Sequence, residues 1–247
     1  SSDLADQFDL SLEHYFADVG SFSIAVFHKQ FHDYIQFGTY DEQFTNNGVT
    51  RTVQVNQPVN ADVAKLQGFE MAYQTYFDFL PAPFDGLGLQ ANYTYVKNKG
   101  IVNTNVASVS SDGGGGTGGG GIQAVSDSIK VDALEGLSEH AYNVVLMYEK
   151  GPWAMRAAYN WRSEYLVTAV DCCVAFPVWQ DDAGFLDASL RYKVNDNIEV
   201  SLQGSNLLAT ETVLRQQVTD FDKGRTLTPN GWFKNDRRIQ MGFRLKY

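Results

Sequence analysis

Residues 236–247 read DRRIQMGFRLKY, and their side chains from position 238 onward alternate between polar and apolar. One set carries the apolar side chains: Ile239, Met241, Phe243, Leu245 and Tyr247. The other set carries the polar or small ones: Arg238, Gln240, Gly242, Arg244 and Lys246. Because successive side chains of a β-strand point to opposite faces, this segment is predicted to be a strand with one apolar and one cationic face.

The same alternation recurs upstream, in segments 8–13, 69–79, 89–95, 142–148, 153–162, 186–193 and 198–203. Segment 22–31 is also strand-like, but its pattern does not decide which side chains share a face. The chain is therefore predicted to form about nine strands of roughly ten residues each. At about 3.3 Å per residue and a tilt near 40°, each spans roughly 25 Å, which matches the apolar band of an outer-membrane barrel.

The connections between these segments alternate in length. Short turns are expected at 17–21, 81–86, 150–152 and 194–197, and long loops at about 38–65, 98–136, 163–182 and 209–235. Membrane β-barrels have short turns on the periplasmic side and long loops outside the cell, whereas a soluble β-protein does not sort its loops in this way. The pattern predicts an all-β fold, a transmembrane antiparallel β-barrel that crosses a bacterial outer membrane many times.

Composition agrees with such a barrel and excludes other classes. A mean hydropathy of −0.27 is typical of soluble proteins, but barrel strands hide their hydrophobicity in every second residue. Aromatic residues make up 13% of the chain, as interfacial girdles require. The formal net charge of −10 argues against a nucleic-acid partner. No GxSxG or HExxH motif is present, so no enzyme is expected.

Nine strands are not expected to close a barrel by themselves. Bacterial single-chain barrels have even strand numbers, so nine strands are expected to be the C-terminal part of a larger barrel. Residues 1–20 also lack the basic segment and apolar run of a signal peptide. We therefore expect residues 1–247 to follow N-terminal strands that they do not include.

Three motifs resemble TonB-dependent outer-membrane receptors. KLQGFEMAYQTYFDFL at 65–80, followed by LGLQANYTY at 87–95, is similar to that family's x-G-x-E strand and its partner. SLQGSNLL at 201–208 is similar to the penultimate strand, which ends in Asn-Leu. RRIQMGFRLKY at 237–247 resembles the terminal strand with its C-terminal aromatic. The resemblance covers essentially the whole chain, and the motifs occur in the family's order.

The resemblance implies a function and partners. Family members form barrels of about twenty-two strands around a plug, so these would be the last nine. The resemblance implies that the protein imports a scarce solute, either an oligosaccharide or a ferric siderophore. Within the family, the sequence is most similar to the branch that takes up carbohydrates. An inner-membrane energy-transducing complex acts through the plug, and lipopolysaccharide, the barrel-assembly machinery and possible surface lipoprotein subunits are further implied partners. A passive porin or a surface-interaction barrel is the alternative.

Aromatic and polar side chains in the long loops suit a solute with flat apolar faces and hydroxyl groups. The candidate solute-binding residues are Tyr40, Asp41, Tyr165, Trp179, Asp181, Asp182, Arg225 and Trp232. For each of them, packing between loops over the barrel mouth is the alternative. Segment 98–136 is expected to be a long external loop with a flexible glycine-rich tip at 113–121.

Other residues are assigned to the wall and its assembly. Inward charges expected to face the plug are Arg156, Arg162, Asp187, Arg191, Arg238 and Arg244. Tyr247 is expected to be the barrel-assembly signal, by resemblance, or an interfacial aromatic.

Cysteines and histidines complete the candidate sites. Cys172 and Cys173 lie in a long loop expected to face an oxidising exterior, where they form either a strained vicinal disulfide, free thiols or a bond to another segment. No metal or cofactor is expected, because His28 and His32 would lie about 13 Å apart on a strand.

Overall fold

The computed structural model describes residues 4–16, 18–33, 35–60, 64–99, 129, 131–169, 171, 176–219 and 221–246. Within these ranges the regular structure is fifteen β-strands and two short 3₁₀ helices. No helix in the described part of the chain is long and apolar enough to cross a membrane. The prediction of an all-β chain is confirmed.

The strands are numbered in chain order. They are β1 (Leu4–Phe16), β2 (Gly20–His32), β3 (Ile35–Asn46), β4 (Val49–Asn60), β5 (Ala64–Tyr76), β6 (Leu87–Lys99), β7 (His140–Lys150), β8 (Trp153–Arg162), β9 (Tyr165–Thr168), β10 (Val178–Gln180), β11 (Ala183–Lys193), β12 (Ile198–Ser205), β13 (Glu211–Gln217), β14 (Leu227–Lys234) and β15 (Arg238–Leu245). The 3₁₀ helices are Phe84–Gly86 and Phe221–Lys223.

Nine of these strands form one antiparallel sheet in the order β1-β2-β5-β6-β7-β8-β11-β12-β15. Each of these nine strands pairs with the next of the nine along the chain, and the strands skipped in this order lie inside the long loops. This up-and-down order confirms the nine predicted strands. It is the topology of a barrel wall, in which every backbone group can be paired between strands.

The register of the sheet aligns the apolar side chains into continuous rows. Met155 pairs with Leu190, Leu190 with Leu202, and Leu202 with Met241. Met241 is 86% exposed. A contiguous exposed apolar surface of this extent is rare on soluble proteins and is expected where a surface meets lipid. We call this side the lipid face.

The opposite side carries polar rows in the same register. Arg156 pairs with Ser189, Ser189 with Gln203, and Gln203 with Gln240. Burying charged and amide groups in hydrocarbon costs free energy, whereas water or protein in a lumen can hydrogen-bond to them. We call this side the lumenal face.

The register also decides the ambiguous segment 22–31. Phe22, Ile24 and Val26 pair with Tyr73, Met71 and Phe69, so they belong to the lipid face. Phe27 and Lys29 therefore belong to the lumenal face. This face assignment was not predictable from the segment itself, because Phe27 places an aromatic ring among the inward side chains.

Aromatic rings on the lipid face cluster near both ends of the strands. At the long-loop end, Tyr95 lies 5.1 Å from His140 and Tyr142 lies 5.2 Å from Trp161 between ring centroids. At the short-turn end, Trp153 lies 4.4 Å from Tyr192. Two such belts are typical of the two interfaces of a membrane barrel.

The connections differ from the prediction in two ways. Three long loops contain strands, because β3 and β4 lie in the first, β9 and β10 in the third, and β13 and β14 in the fourth. The strand predicted at 69–79 ends at Tyr76, so Phe77 and Phe79 belong to a turn and do not extend its lipid face.

An ion pair between Asp85 and Lys150 ties this turn to the end of β7. The hydrogen bond that Lys150 donates holds the pKa of the Asp85 carboxyl below its ordinary value.

Gly68, in the x-G-x-E motif, allows β5 and β6 to approach closely. A Cβ atom there would lie 2.0 Å from the carbonyl oxygen of Tyr95 and 2.8 Å from the Phe27 ring. We expect Gly68→Ala to destabilise the wall by about 1–3 kcal/mol, because backbone must shift to make room.

The measurement is the temperature at which the folded band is lost in electrophoresis without boiling. Gly231→Ala is the control, because a Cβ there would meet nothing within 4 Å. Equal effects of the two substitutions would contradict the close approach at Gly68.

Candidate functional site

A second sheet is built from the loops at the long-loop end of the wall. Its strand order is β14-β13-β10-β9, so it joins two loops that are distant in sequence. Val131, Leu166, Ala169 and Trp179 form a buried apolar cluster against it, and Ala133 and Leu227 pack on that cluster. The loops over this part of the wall therefore have a hydrophobic core of their own. We call this unit the loop sheet.

Trp179 lies in that core and is only 5% exposed. Its indole N–H donates a hydrogen bond of 2.8 Å to the side-chain oxygen of Gln217, which is fully buried. The Arg225 guanidinium lies 4.4 Å from the centre of the Trp179 ring and pairs with Glu164. Trp179 and Arg225 thus hold loops together, which is the packing alternative weighed for these residues.

Three more candidate residues are engaged in hydrogen bonds to the fourth loop, to the end of β8 or within their own loop. Asp181 accepts hydrogen bonds of 2.7 Å at both carboxylate oxygens from Arg215. Asp182 accepts a 3.2 Å bond from the indole of Trp161. The Tyr165 hydroxyl donates a 2.8 Å bond to Gln180. These contacts bring five of the eight candidates into one region.

The remaining candidates are elsewhere. Trp232, on β14, is 60% exposed. Asp41 is exposed on the β3–β4 hairpin, and Tyr40 belongs to the same strand, although its side chain is not among those described.

The predicted inward charges follow the lumenal face. Arg156, Arg191, Arg238 and Arg244 are all exposed on it in this chain. Arg162 lies at the long-loop end of that face, where its guanidinium donates bonds of 2.7 Å to Ser138 and to the carbonyl of Gly136 and lies 3.7 Å from the Tyr165 ring centre. The resolved contacts of Arg162 are therefore with loops.

Asn206 organises the start of the last loop and was missed as a functional residue. Its backbone N–H donates a 2.8 Å bond to Asp187, and its side-chain amide donates to the carbonyls of Thr210 and Asn235. Its side-chain oxygen accepts from the Thr210 N–H at 2.9 Å. The sequence indication was the asparagine of the SLQGSNLL motif. Asn206 adopts a left-handed φ of 49°, which few residue types other than glycine and asparagine tolerate.

We expect Asn206→Ala to loosen the last loop by about 1–3 kcal/mol, since the partly buried hydrogen bonds to Thr210 and Asn235 are lost. The measurement is the rate of protease cleavage between residues 206 and 237 in outer membranes. Asn206→Gly separates the causes, because glycine keeps the backbone conformation and removes only the side-chain bonds. Cleavage at the wild-type rate in both variants would show that Asn206 does not anchor the loop.

Several predicted features are not described structurally. Cys172, Cys173 and Tyr247 lie outside the described residues, as does the glycine-rich tip at 113–121. Among the residues that are described, no group of three or more His, Cys, Asp and Glu side chains is placed to hold a metal ion.

Comparison with known proteins identifies the architecture. The family model described as TonB dependent receptor-like, beta-barrel, matches residues 4–207. No curated protein matches the chain.

Solved structures with this fold include three receptors. The pyoverdine receptor FpvA from Pseudomonas aeruginosa PAO1, bound to pyoverdine, is 14% identical with a TM-score of 0.57, and the match covers 99% of this chain and 30% of FpvA. The ferric-catecholate import receptor Fiu from E. coli K12 is 15% identical with a TM-score of 0.56, covering 98% of this chain and 27% of Fiu. The siderophore receptor PiuA from Acinetobacter baumannii is 16% identical with a TM-score of 0.54, and the match covers 97% of this chain and 28% of PiuA.

The chain thus spans less than a third of the length of each of these receptors. At such identities the likeness establishes a shared fold only.

Proposed function

The chain belongs to the TonB-dependent receptor family of outer-membrane β-barrels, and on that premise we propose that it forms the C-terminal wall of an active importer for a scarce solute. The protein is an outer-membrane protein with many crossings. The solute is captured outside the cell and released into the periplasm. The proposed activity is transport, not catalysis.

The observation that carries this proposal is the two-faced nine-stranded wall with a packed loop sheet at its long-loop end. A lumenal face rich in charged and amide groups suits a lumen occupied by a polar plug. We propose that Arg156, Arg162, Asp187, Arg191, Arg238 and Arg244 form the plug-facing wall. Because buried charges need partners, each of these arginines would pair with acidic or amide groups of the plug.

The solute is proposed to be an oligosaccharide or a ferric siderophore. FpvA is bound to pyoverdine and Fiu is a ferric-catecholate import receptor, and both belong to the same fold. Trp232 and Asp41 are proposed to make the first contact with a solute, and the other exposed candidates are Asp182 and Arg225. Tyr165, Trp179, Asp181, Asp182 and Arg225 would act by holding the loops around it.

The remaining assignments complete the proposal. Segment 98–136 is proposed to be an external loop, and Tyr247 the signal read by the barrel-assembly machinery. The energy source would be the inner-membrane energy-transducing complex, acting through the plug, and a surface lipoprotein is a further proposed partner.

Uptake of labelled oligosaccharides and of labelled ferric siderophores by whole cells tests the function. We expect cells that carry the gene to accumulate a solute from one of these classes, and cells without it to lose that uptake. Collapsing the proton gradient should abolish the gene-dependent part.

The alternative is a passive porin or a surface-interaction barrel. Gene-dependent uptake that continues unchanged without the gradient would show passive diffusion. Absence of any gene-dependent uptake, together with retained adhesion, would favour a surface-interaction barrel.

A further inference from the structure

A cavity of about 280 Å³ opens on the lumenal face near the long-loop end of the wall. Its lining includes Asn92, Thr94, Asn143, Asn160 and Phe185, and Gln180 of the loop sheet also borders it. We call it the amide pocket. Its volume lies just below the range of about 300–1,000 Å³ typical of ligand sites, so it suits one ring-sized unit of a larger solute.

Strand register sets the chemistry of the pocket floor. Asn92 pairs with Asn143, Asn143 with Asn160, and Asn160 with Phe185. Side chains paired in this way lie about 5 Å apart, so three amides and one aromatic ring form a row across four strands. Amides both donate and accept hydrogen bonds, and the ring offers a flat apolar surface.

One atom of this row lacks a partner. The side-chain oxygen of Asn143 is buried and has no hydrogen-bond partner among the described residues. A buried polar atom of this kind is rare and costly unless something occupies the site. Because an amide oxygen only accepts, the occupant that satisfies it must present a hydroxyl or N–H donor.

The charges around the pocket nearly cancel, so they do not select for an anion. The one charged residue among those lining it is Arg162, whose guanidinium is engaged by Ser138, Gly136 and the Tyr165 ring. Glu70 pairs with Thr94 at the margin and adds negative charge. Arg156 lies four residues below Asn160, about 13 Å along the strand. A ferric catecholate, which presents anionic oxygen acceptors, fits this environment poorly.

We propose that the amide pocket binds a neutral, hydroxyl-rich unit of the transported solute, such as one ring of an oligosaccharide. This rests on the proposed import function and narrows its substrate class. Ring hydroxyls donate to Asn143 and exchange bonds with Asn92 and Asn160, while an apolar ring face lies against Phe185.

The test measures binding to the purified protein, expressed from its whole gene, by calorimetry. The probes are neutral glucose oligomers with α-1,4, β-1,4 and β-1,3 linkages, N-acetylglucosamine oligomers and, separately, a ferric tris-catecholate. We expect one neutral oligosaccharide to bind, and Asn143→Leu to weaken it roughly tenfold by removing a buried acceptor. Asn143→Asp should keep that binding, since a carboxylate also accepts from hydroxyls.

Gln240→Leu is the matched control, because it removes an inward amide from the lumenal face outside the pocket. Its binding should equal wild type. Retained folding of each variant is checked by electrophoresis without boiling.

Three outcomes would overturn the proposal: no neutral oligosaccharide binds, Asn143→Leu leaves binding unchanged, or the variant weakens binding of the ferric complex instead. If Asn143→Leu leaves oligosaccharide binding unchanged but makes the plug more sensitive to protease, the occupant of the pocket is a plug segment. Each of these binding results can occur while gradient-dependent uptake persists. A failed pocket proposal is therefore distinguishable from a failed import function.

Discussion

Replacing Ala157 by arginine should destabilise the barrel wall by about 2–4 kcal/mol, whereas the same replacement at the adjacent Ala158 should have a far smaller effect. Ala157 pairs with Leu146 and Ala188 in the middle of β8, on the lipid face. A cation there would enter hydrocarbon near the centre of the bilayer. Ala158 pairs with Asp187 on the lumenal face, where an arginine meets a carboxylate.

The two positions control for each other, because they carry the same residue in the same strand. The measurement is urea unfolding of each variant in lipid bilayers, monitored by loss of the folded band. Equal destabilisation by the two arginines would contradict the separation of faces. A larger cost at Ala158 than at Ala157 would reverse the assignment.

Trp179→Ala should destabilise the loop sheet by about 3–5 kcal/mol, because a buried aromatic ring is lost from a small core. The change also leaves Gln217, which is 0% exposed, without the indole donor, and removes the surface on which Arg225 lies. The wall should remain folded, since Trp179 belongs to the second sheet. The expected result is a loosened loop region on an intact barrel.

Hydrogen exchange and limited proteolysis of residues 163–182 and 206–237, in outer membranes, measure this effect. Trp232→Ala is the control, because Trp232 lies in the same sheet but is 60% exposed. It should change loop stability by no more than about 0.5 kcal/mol. If both variants behave alike, Trp179 is not a core residue of the loops.

The wall was predictable because its signal is local and repeated. Most strands of the wall show their own alternation, and lipid on one side with polar surroundings on the other makes that alternation strong. Segment 22–31 was the exception, because Phe27 interrupts the pattern, and only pairing with β5 decided its register.

The loop sheet was not predictable in this way. β9 has four residues and β10 has three, too few for a pattern, and β10 pairs with β13, which lies more than thirty residues further along the chain. Its strands are specified by contacts between loops, which a single sequence does not display.

The candidate site shows a related limit. Residue type pointed to Trp179 and Trp232 equally, yet one is buried in a core and the other is exposed. Asn206 carried a motif signal but no indication that four hydrogen bonds converge on it. Sequence thus located the region, whereas burial and hydrogen bonding separate solute contacts from supporting residues.

One face of the nine-stranded wall meets lipid and the other meets the lumen. Nitroxide labels on single cysteines at positions 157 and 158 test it directly, by their relaxation with molecular oxygen and with a water-soluble nickel chelate. We expect high oxygen accessibility at position 157, and at position 158 either nickel accessibility or protection from both reagents by a plug. High oxygen accessibility at 158, with nickel accessibility at 157, would contradict it.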